Sequence, residues 1–238
     1  MPGNKNVVFD VVGTLACYDE LYDGIDARIG DRLRKEGIKP SLLGYTWIEV
    51  AEREYTYLSM AGAYKPFDTV FEAVFYRILF SAGIQDPHGF ASAEDLAFIM
   101  AANNKMRFRD GAVECISKLR DAGFTVWAMT AADKGRVRGY FEEAGLDLPL
   151  ENLVSSDDTG IAKPTLSGYL PLFEQLNQGE RPWFAAAHKW DVSAANRIGY
   201  RGAYCSLLEH DPLPDLFGTM EVEEPTLPAL ADRIIALS

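Results

Sequence analysis

The first hydrophobic stretch of the chain, Val7 to Phe9 in a strand expected over Asn6 to Phe9, turns polar at Asp10 and continues as Val11-Val12-Gly13-Thr14-Leu15. A run that ends in Asp and a Gly-Thr turn predicts a buried parallel strand with its loop at the carboxyl end. The spacing then becomes helical. Leu21, Ile25, Ile29 and Leu33 recur every fourth position, which predicts one helix face over residues 21–36, ended by Gly37 and Pro40. Residues 45–59, 69–81 and 92–102 read as three further helices, the last with Ser92 as its N-cap.

From Arg107 the pattern changes to alternation. Helices are expected at 110–122, 133–144, 166–176, 191–198 and 227–237. Between them lie short apolar runs at 124–129, 153–155, 183–187 and 202–205, and Gly123, Gly145 and Gly199 close helices. Strands alternating with helices through short loops predict a doubly wound parallel sheet with helices on both faces, an α/β fold. The expected organisation is an α/β core of residues 1–16 and 106–238, with a helical subdomain of residues 17–105 inserted after the first strand.

Composition narrows the classes. Of 238 residues, 48% are hydrophobic and 24% charged, as in ordinary globular proteins, which excludes fibrous and disordered classes. A net charge of −12 argues against a nucleic-acid partner. No apolar run approaches the ~18 residues of a membrane span, so no membrane partner is expected. Cys17, Cys115 and Cys205 are an odd, scattered set and read as free thiols in a reducing compartment. With no signal peptide in the first residues, a cytoplasmic protein is expected. His88, His188 and His210 are too dispersed for a histidine-rich metal site.

Ligands of open parallel sheets bind beyond the carboxyl ends of the strands. The polar residues expected there are Asp10 and Thr14, then Thr130, then Lys163, then His188 and Asp191. One Asp after a strand is weak evidence, since many cap helices, and Asp191 is open to that reading. Asp, Thr, Lys and Asp from four successive strand ends is far more specific.

This order resembles the haloacid dehalogenase superfamily along nearly the whole chain. Residues Phe9 to Leu15 look like its first motif and Trp127-Ala128-Met129-Thr130 like its second. Ile161-Ala162-Lys163-Pro164, with Tyr169 six positions past the lysine, is similar to the third, and His188-Lys189-Trp190-Asp191 to the fourth. The helical insert has the position of the family's cap domain. Within it, Trp47 and Glu54-Tyr55-Thr56 resemble a segment of the type II L-2-haloacid dehalogenases.

The resemblance implies that Asp10 is a nucleophile that forms an ester with its substrate. A carboxylate oriented at a strand end beside an ammonium, and stripped of water, can attack carbon or phosphorus. Lys163 would hold the charge of Asp10. Thr14 and Thr130 would donate to Asp10 or to a substrate carboxylate, Asp191 would orient Lys163 or activate water, and Tyr169 would lie near Lys163. Tyr169 equally suits a core aromatic, and Thr14 a turn residue.

Phosphatases of the superfamily have a second Asp two residues past the nucleophile, where this chain has Val12. They also have a carboxylate four residues before the counterpart of Asp191, where this chain has Ala187. Both departures point to displacement at carbon without metal or other cofactor. Other departures separate the chain from the type II enzymes. Glu49 or Ile48 stands where they have a cap arginine, Ala131 where they have Asn, and Ala186-Ala187-His188 where they have Ser-Ser-Asn. Val12 also replaces a common Tyr.

The leading expectation is thus a metal-independent hydrolase of a small 2-substituted carboxylic acid. Asp10, Lys163 and Asp191 would be catalytic, with Thr14, Thr130, Ala131, Tyr169, His188, Glu49 and Val12 around the substrate. His188 would do the work of the missing arginine, shuttle protons or serve structure. The alternatives are opening of a strained cyclic amino acid of the L-azetidine-2-carboxylate kind, which Glu49 would suit, then a phosphatase, then a silent domain that uses its cap as a partner surface. Glu49 also reads as a solvated helix-face carboxylate. The insert's aromatics, among them Tyr45, Trp47, Phe71 and Phe75, are mostly packing residues, and the same helices can form a homodimer face.

Overall fold

A computed structural model describes residues 5–238. Within them the chain forms two compact units, residues 5–17 with 108–238, and Tyr18–Arg107. The first unit opens with β1 (Lys5–Asp10). The second is helical: α1 (Asp19–Ile25), a π turn at Asp26–Gly30, α2 (Asp31–Lys35), α3 (Pro40–Met60), α4 (Phe67–Ser81), α5 (Pro87–Phe90) and α6 (Ala93–Asn103). The chain then returns to the first unit with α7 (Ala112–Asp121), β2 (Phe124–Thr130), α8 (Lys134–Glu143) and β3 (Leu153–Ser155). It ends through α9 (Leu166–Leu176), β4 (Trp183–Ala186), α10 (Lys189–Ile198), β5 (Arg201–Cys205), α11 (Pro214–Phe217), β6 (Val222–Glu224) and α12 (Leu227–Ala236).

The six strands form one parallel sheet in the order β3-β2-β1-β4-β5-β6. This is the doubly wound α/β arrangement. The order reverses between β1 and β4, so their carboxyl ends flank the switch-point crevice. Register places Asp10 beside Met129 on one side, and Phe9 beside Ala185 on the other. Strand β1 is buried from Asn6 to Asp10, which explains the apolar run of Val7 to Phe9 at its centre. The covering helices read as one-face patterns: Ala112, Cys115, Ile116 and Leu119 are buried on α7, and Leu227, Leu230, Ala231 and Ile234 on α12.

In the helical unit, Trp47 of α3 stacks on Phe71 of α4 with centroids 4.1 Å apart, and its Nε1 donates to Phe71 O at 2.7 Å. Trp47, Phe71 and Phe75 are buried, whereas Tyr45 and Tyr57 are exposed. Ser92 caps α6 in a reciprocal box with Asp95. The Asp95 carboxylate also receives Arg28 and Arg32 at 2.6 and 2.7 Å.

The structure departs from the sequence pattern in four places. The helix expected over 21–36 contains a π turn. There, a Cβ on Gly30 would lie 2.0 Å from Asp26 Oδ1, so glycine makes room for the Asp26–Arg34 ion pair. Pro40 opens α3 rather than separating helices, because a first-turn proline surrenders an amide the helix does not use. Helices α5 and α11 have four residues each, too few to show a period. Strand β6 has three residues with one buried apolar position, and it is specified by pairing with β5.

Candidate active site

Four segments bring side chains to the carboxyl end of β1. The loop after β1 is a tight one: the amides of Thr14, Leu15 and Ala16 all donate to Val11 O, at 3.2, 2.8 and 2.9 Å. Gly13 takes φ +86°, a left-handed conformation that glycine adopts without strain. The turn folds Thr14 back so that its Oγ1 donates to Asp10 Oδ2 at 2.7 Å. The same oxygen accepts the Ala187 amide at 2.8 Å, tying the loop after β1 to the end of β4.

Lys163, in the loop that precedes α9, reaches Asp10 Oδ1 at 2.7 Å, Asp191 Oδ2 at 2.5 Å and Met129 O at 3.4 Å. Its three ammonium protons therefore all have acceptors. The Nζ also lies 5.9 Å from the Trp190 ring and 6.0 Å from that of Phe184, within range of the attraction between cations and aromatic faces. Asp191, fully buried in the first turn of α10, accepts the Tyr169 hydroxyl on its other oxygen at 2.5 Å. Tyr169 is buried on α9 and packs edge-on to Phe184. Its ring is thus core and its hydroxyl belongs to the site. The N-cap of α10 is His188, not Asp191. His188 Nδ1 lies 3.1 Å from Asp10 Oδ2, and its ring leans on Trp190.

These contacts set the charge states. Burial alone would raise the Asp10 carboxyl, but the Lys163 ammonium and the bond from His188 outweigh it and hold Asp10 well below the usual carboxylate range. Burial opposes the charge of Lys163 too, and the carboxylates of Asp10 and Asp191 reverse that, pushing it above the ordinary lysine range. Asp191 moves the other way. Burial and the neighbouring charge of Asp10 raise it against the pull of Lys163. Burial, then the Asp191 charge, pushes the Tyr169 phenol up, so it stays a donor. One ammonium thus favours the carboxylate at the strand tip.

The remaining candidates sit as follows. Thr130 is buried at the end of β2, and its Oγ1 accepts the Ala132 amide at 3.0 Å. No described hydrogen bond joins it to Asp10. Val12 and Ala131, after β1 and β2, are half-buried. Glu49 is exposed on α3 of the helical unit. Among the described residues, no group of three or more His, Cys, Asp or Glu is arranged to hold a metal ion. The spacing of motifs missed two backbone groups, Met129 O and Ala187 N–H, because a main-chain partner leaves no trace in residue identity.

An ionised carboxylate thus stands at the tip of the first strand, paired with a lysine from the third connection, and an aspartate from the fourth braces that lysine. The family model for haloacid dehalogenase-like hydrolases matches residues 5–199, and the chain belongs to that family. Over 103 residues it is 24% identical to (S)-2-haloacid dehalogenase 4A of Burkholderia cepacia, a stretch that is 43% of this chain and 45% of that one. The chain thus matches under half the length of that relative. The L-2-haloacid dehalogenase of Xanthobacter autotrophicus shares the fold, with a TM-score of 0.79 at 18% identity over 99% of this chain and 100% of that one. A second structure of that enzyme, with chloropropionic acid covalently bound, gives a TM-score of 0.76 at 19% identity and the same coverage. No helix among the described residues is long and apolar enough to cross a membrane.

Proposed function

We propose that the protein hydrolyses a small 2-substituted carboxylic acid through an ester on Asp10, with halide as the leaving group. The observation that carries this reading is the Asp10 carboxylate, 5% exposed and held ionised at 2.7 Å from Lys163. A carboxylate so stripped of water is a competent nucleophile. One oxygen attacks carbon 2, the carbon–halogen bond breaks, and halide leaves with the electron pair. Water then adds to Cγ of the ester and releases the 2-hydroxy acid. Halide needs no proton to depart, which suits Val12 in the place of an acid.

Lys163 keeps Asp10 charged and steadies charge on the ester oxygens. Asp191 and Tyr169 orient Lys163, and Thr14 orients Asp10. Val12 and Ala131 border the substrate, and Thr130 shapes the loop after β2. The helical unit acts as the family's cap, consistent with its place in the chain after β1, and Glu49 belongs to it. The route uses no metal or other cofactor. The relatives are described as dehalogenases, which favours halide over a ring amine as the leaving group. Three buried cysteines, none in a disulfide among the described residues, suit a reducing cytoplasm. Leu42 and Tyr45, exposed on α3, support a homodimer face, to be checked by sedimentation.

The test is a metal-free screen of 2-haloacids for halide release, followed by one turnover in heavy-oxygen water. Label in Asp10 and loss of turnover in Asp10→Asn are expected. Full activity in Asp10→Asn refutes the mechanism.

A further inference from the structure

The two oxygens of Asp10 are not equivalent. Oδ1 accepts one bond, from Lys163 at 2.7 Å. Oδ2 accepts from Thr14 at 2.7 Å and faces His188 Nδ1 at 3.1 Å. A carboxylate oxygen has two lone pairs, so Oδ1 keeps one for attack while Oδ2 is saturated. Next to an ionised carboxylate, Nδ1 carries the proton and donates. His188 is the N-cap of α10 with extended backbone (φ −93°, ψ 115°), and this directs its side chain away from the helix toward the tip of β1.

We propose that His188 is a catalytic residue for the second half of the reaction: with Thr14 it forms the donor pair that stabilises the oxyanion on Asp10 Oδ2 while the ester is hydrolysed. This rests on the Asp10-ester reading above. Attack through Oδ1 forms the carbon–oxygen bond, breaks the carbon–halogen bond and turns Oδ2 into the ester carbonyl oxygen. Charge leaves Asp10 in that step, so donors on Oδ2 do not assist it. In hydrolysis, a water oxygen bonds to Cγ, the carbonyl electron pair moves onto Oδ2, and the water proton passes to solvent water. Collapse restores the carbonyl and breaks the Cγ–Oδ1 bond. The departing oxygen leaves as the alcohol by taking the proton of the added hydroxyl, and the water-derived oxygen completes the carboxylate. The balance is one halide, one proton and one hydroxy acid for each haloacid and water. Donors fixed where negative charge develops act on this step alone.

Among the described hydrogen bonds, Thr14 and His188 are the side chains that meet Asp10 Oδ2. The ammonium protons of Lys163 are fully engaged. Asp191 holds a donor on each oxygen and has none to give. Thr130 Oγ1 accepts the Ala132 amide, and no described hydrogen bond joins Thr130 to Asp10.

The experiment compares wild type, His188→Ala, His188→Leu and His188→Asn on 2-bromopropanoate, by rapid quench for halide and intact mass for the adduct. Asparagine Nδ2 hangs from Cγ as histidine Nδ1 does, so it offers the same donor without an imidazole. The donorless variants should release the first equivalent of halide at nearly the wild-type rate. Their steady turnover should then fall ~10²–10³-fold with the ester trapped on Asp10, the usual loss for one oxyanion donor. His188→Asn should recover at least ~10-fold of that loss. A donorless variant with full turnover and no adduct overturns the proposal, as does one that loses the first equivalent. Adduct accumulation that asparagine does not relieve also overturns it, since that marks a proton acceptor. Leucine fills the space if alanine does not fold. Failure of the underlying reading is distinct, because wild type itself would then release no halide and take no label into Asp10.

Discussion

Replacing Lys163 by methionine keeps most of the side-chain length and removes the charge shared by two buried carboxylates. Asp10 and Asp191 both reach the same Nζ, at 2.7 and 2.5 Å, so without it they confront each other. Two like charges about 5 Å apart repel by ~3 kcal/mol at an effective dielectric constant of ~20. Removing one partner of a buried pair generally costs about 3–5 kcal/mol. The variant escapes by binding protons, and this gives the loss a pH signature. In the wild type Asp10 is held below its ordinary value, so its contribution is present above the ordinary carboxylate range and fades as the pH falls toward the lowered value. In Lys163→Met, burial and the facing charge raise Asp10. A raised carboxyl favours the fold when protonated, and that support disappears as the pH rises through the ordinary range to the raised value. Urea unfolding should therefore show a deficit of about 3–5 kcal/mol near pH ~7.5 that shrinks to about 1 kcal/mol near pH ~4. Turnover should vanish at both. An equal deficit at the two pH values, or none at either, would refute the ion-pair reasoning.

Other outcomes follow from single contacts. Thr14→Val preserves shape but orphans the buried Ala187 amide, so it should cost about 1–3 kcal/mol in denaturant melts and slow turnover as Asp10 loses its support. Tyr169→Phe should lose about 1.5–3 kcal/mol, the worth of a bond to a charged group, with secondary structure by circular dichroism unchanged. Ser92→Ala opens the capping box of α6 and should cost about 1 kcal/mol, read as faster amide exchange in that helix. Burial pushes the Cys115 thiol up to about 12 and that of Cys205 up to about 11, so both should ignore a thiol reagent in the folded protein at neutral pH and react once urea is added.

The parts of the molecule legible from its sequence are those with a short physical range. Strands β1 and β4 announce themselves because both faces are covered, and Val7 to Phe9 and Trp183 to Ala186 are apolar without a break. Ser92 announces α6 because its cap partner is three residues away. The order Asp10, Thr130, Lys163, Asp191 is readable because strand ends deliver side chains to one rim, although the Thr130 hydroxyl meets the Ala132 amide and no described bond takes it to Asp10. What stayed hidden is non-local. Nothing near Thr14 shows that it accepts the amide of Ala187, 173 positions later. Nothing near Asp191 reveals which of its oxygens meets Lys163 and which meets Tyr169. His188 was ambiguous because its meaning lies in one 3.1 Å approach to Asp10. Strand β6 is hidden for a related reason: its partners, not its own residues, make it a strand.

The separation of Asp10 from Lys163, 153 positions along the chain, also sets when reactivity can arise. A ribosome adding roughly 5–20 residues each second needs roughly 10–30 s to pass from one to the other. For that interval the newborn segment carries an ordinary hydrated acid with no counter-ion to sharpen it. The proposed covalent chemistry is thereby withheld from nascent chains and awarded only to those whose distant strands have already come together.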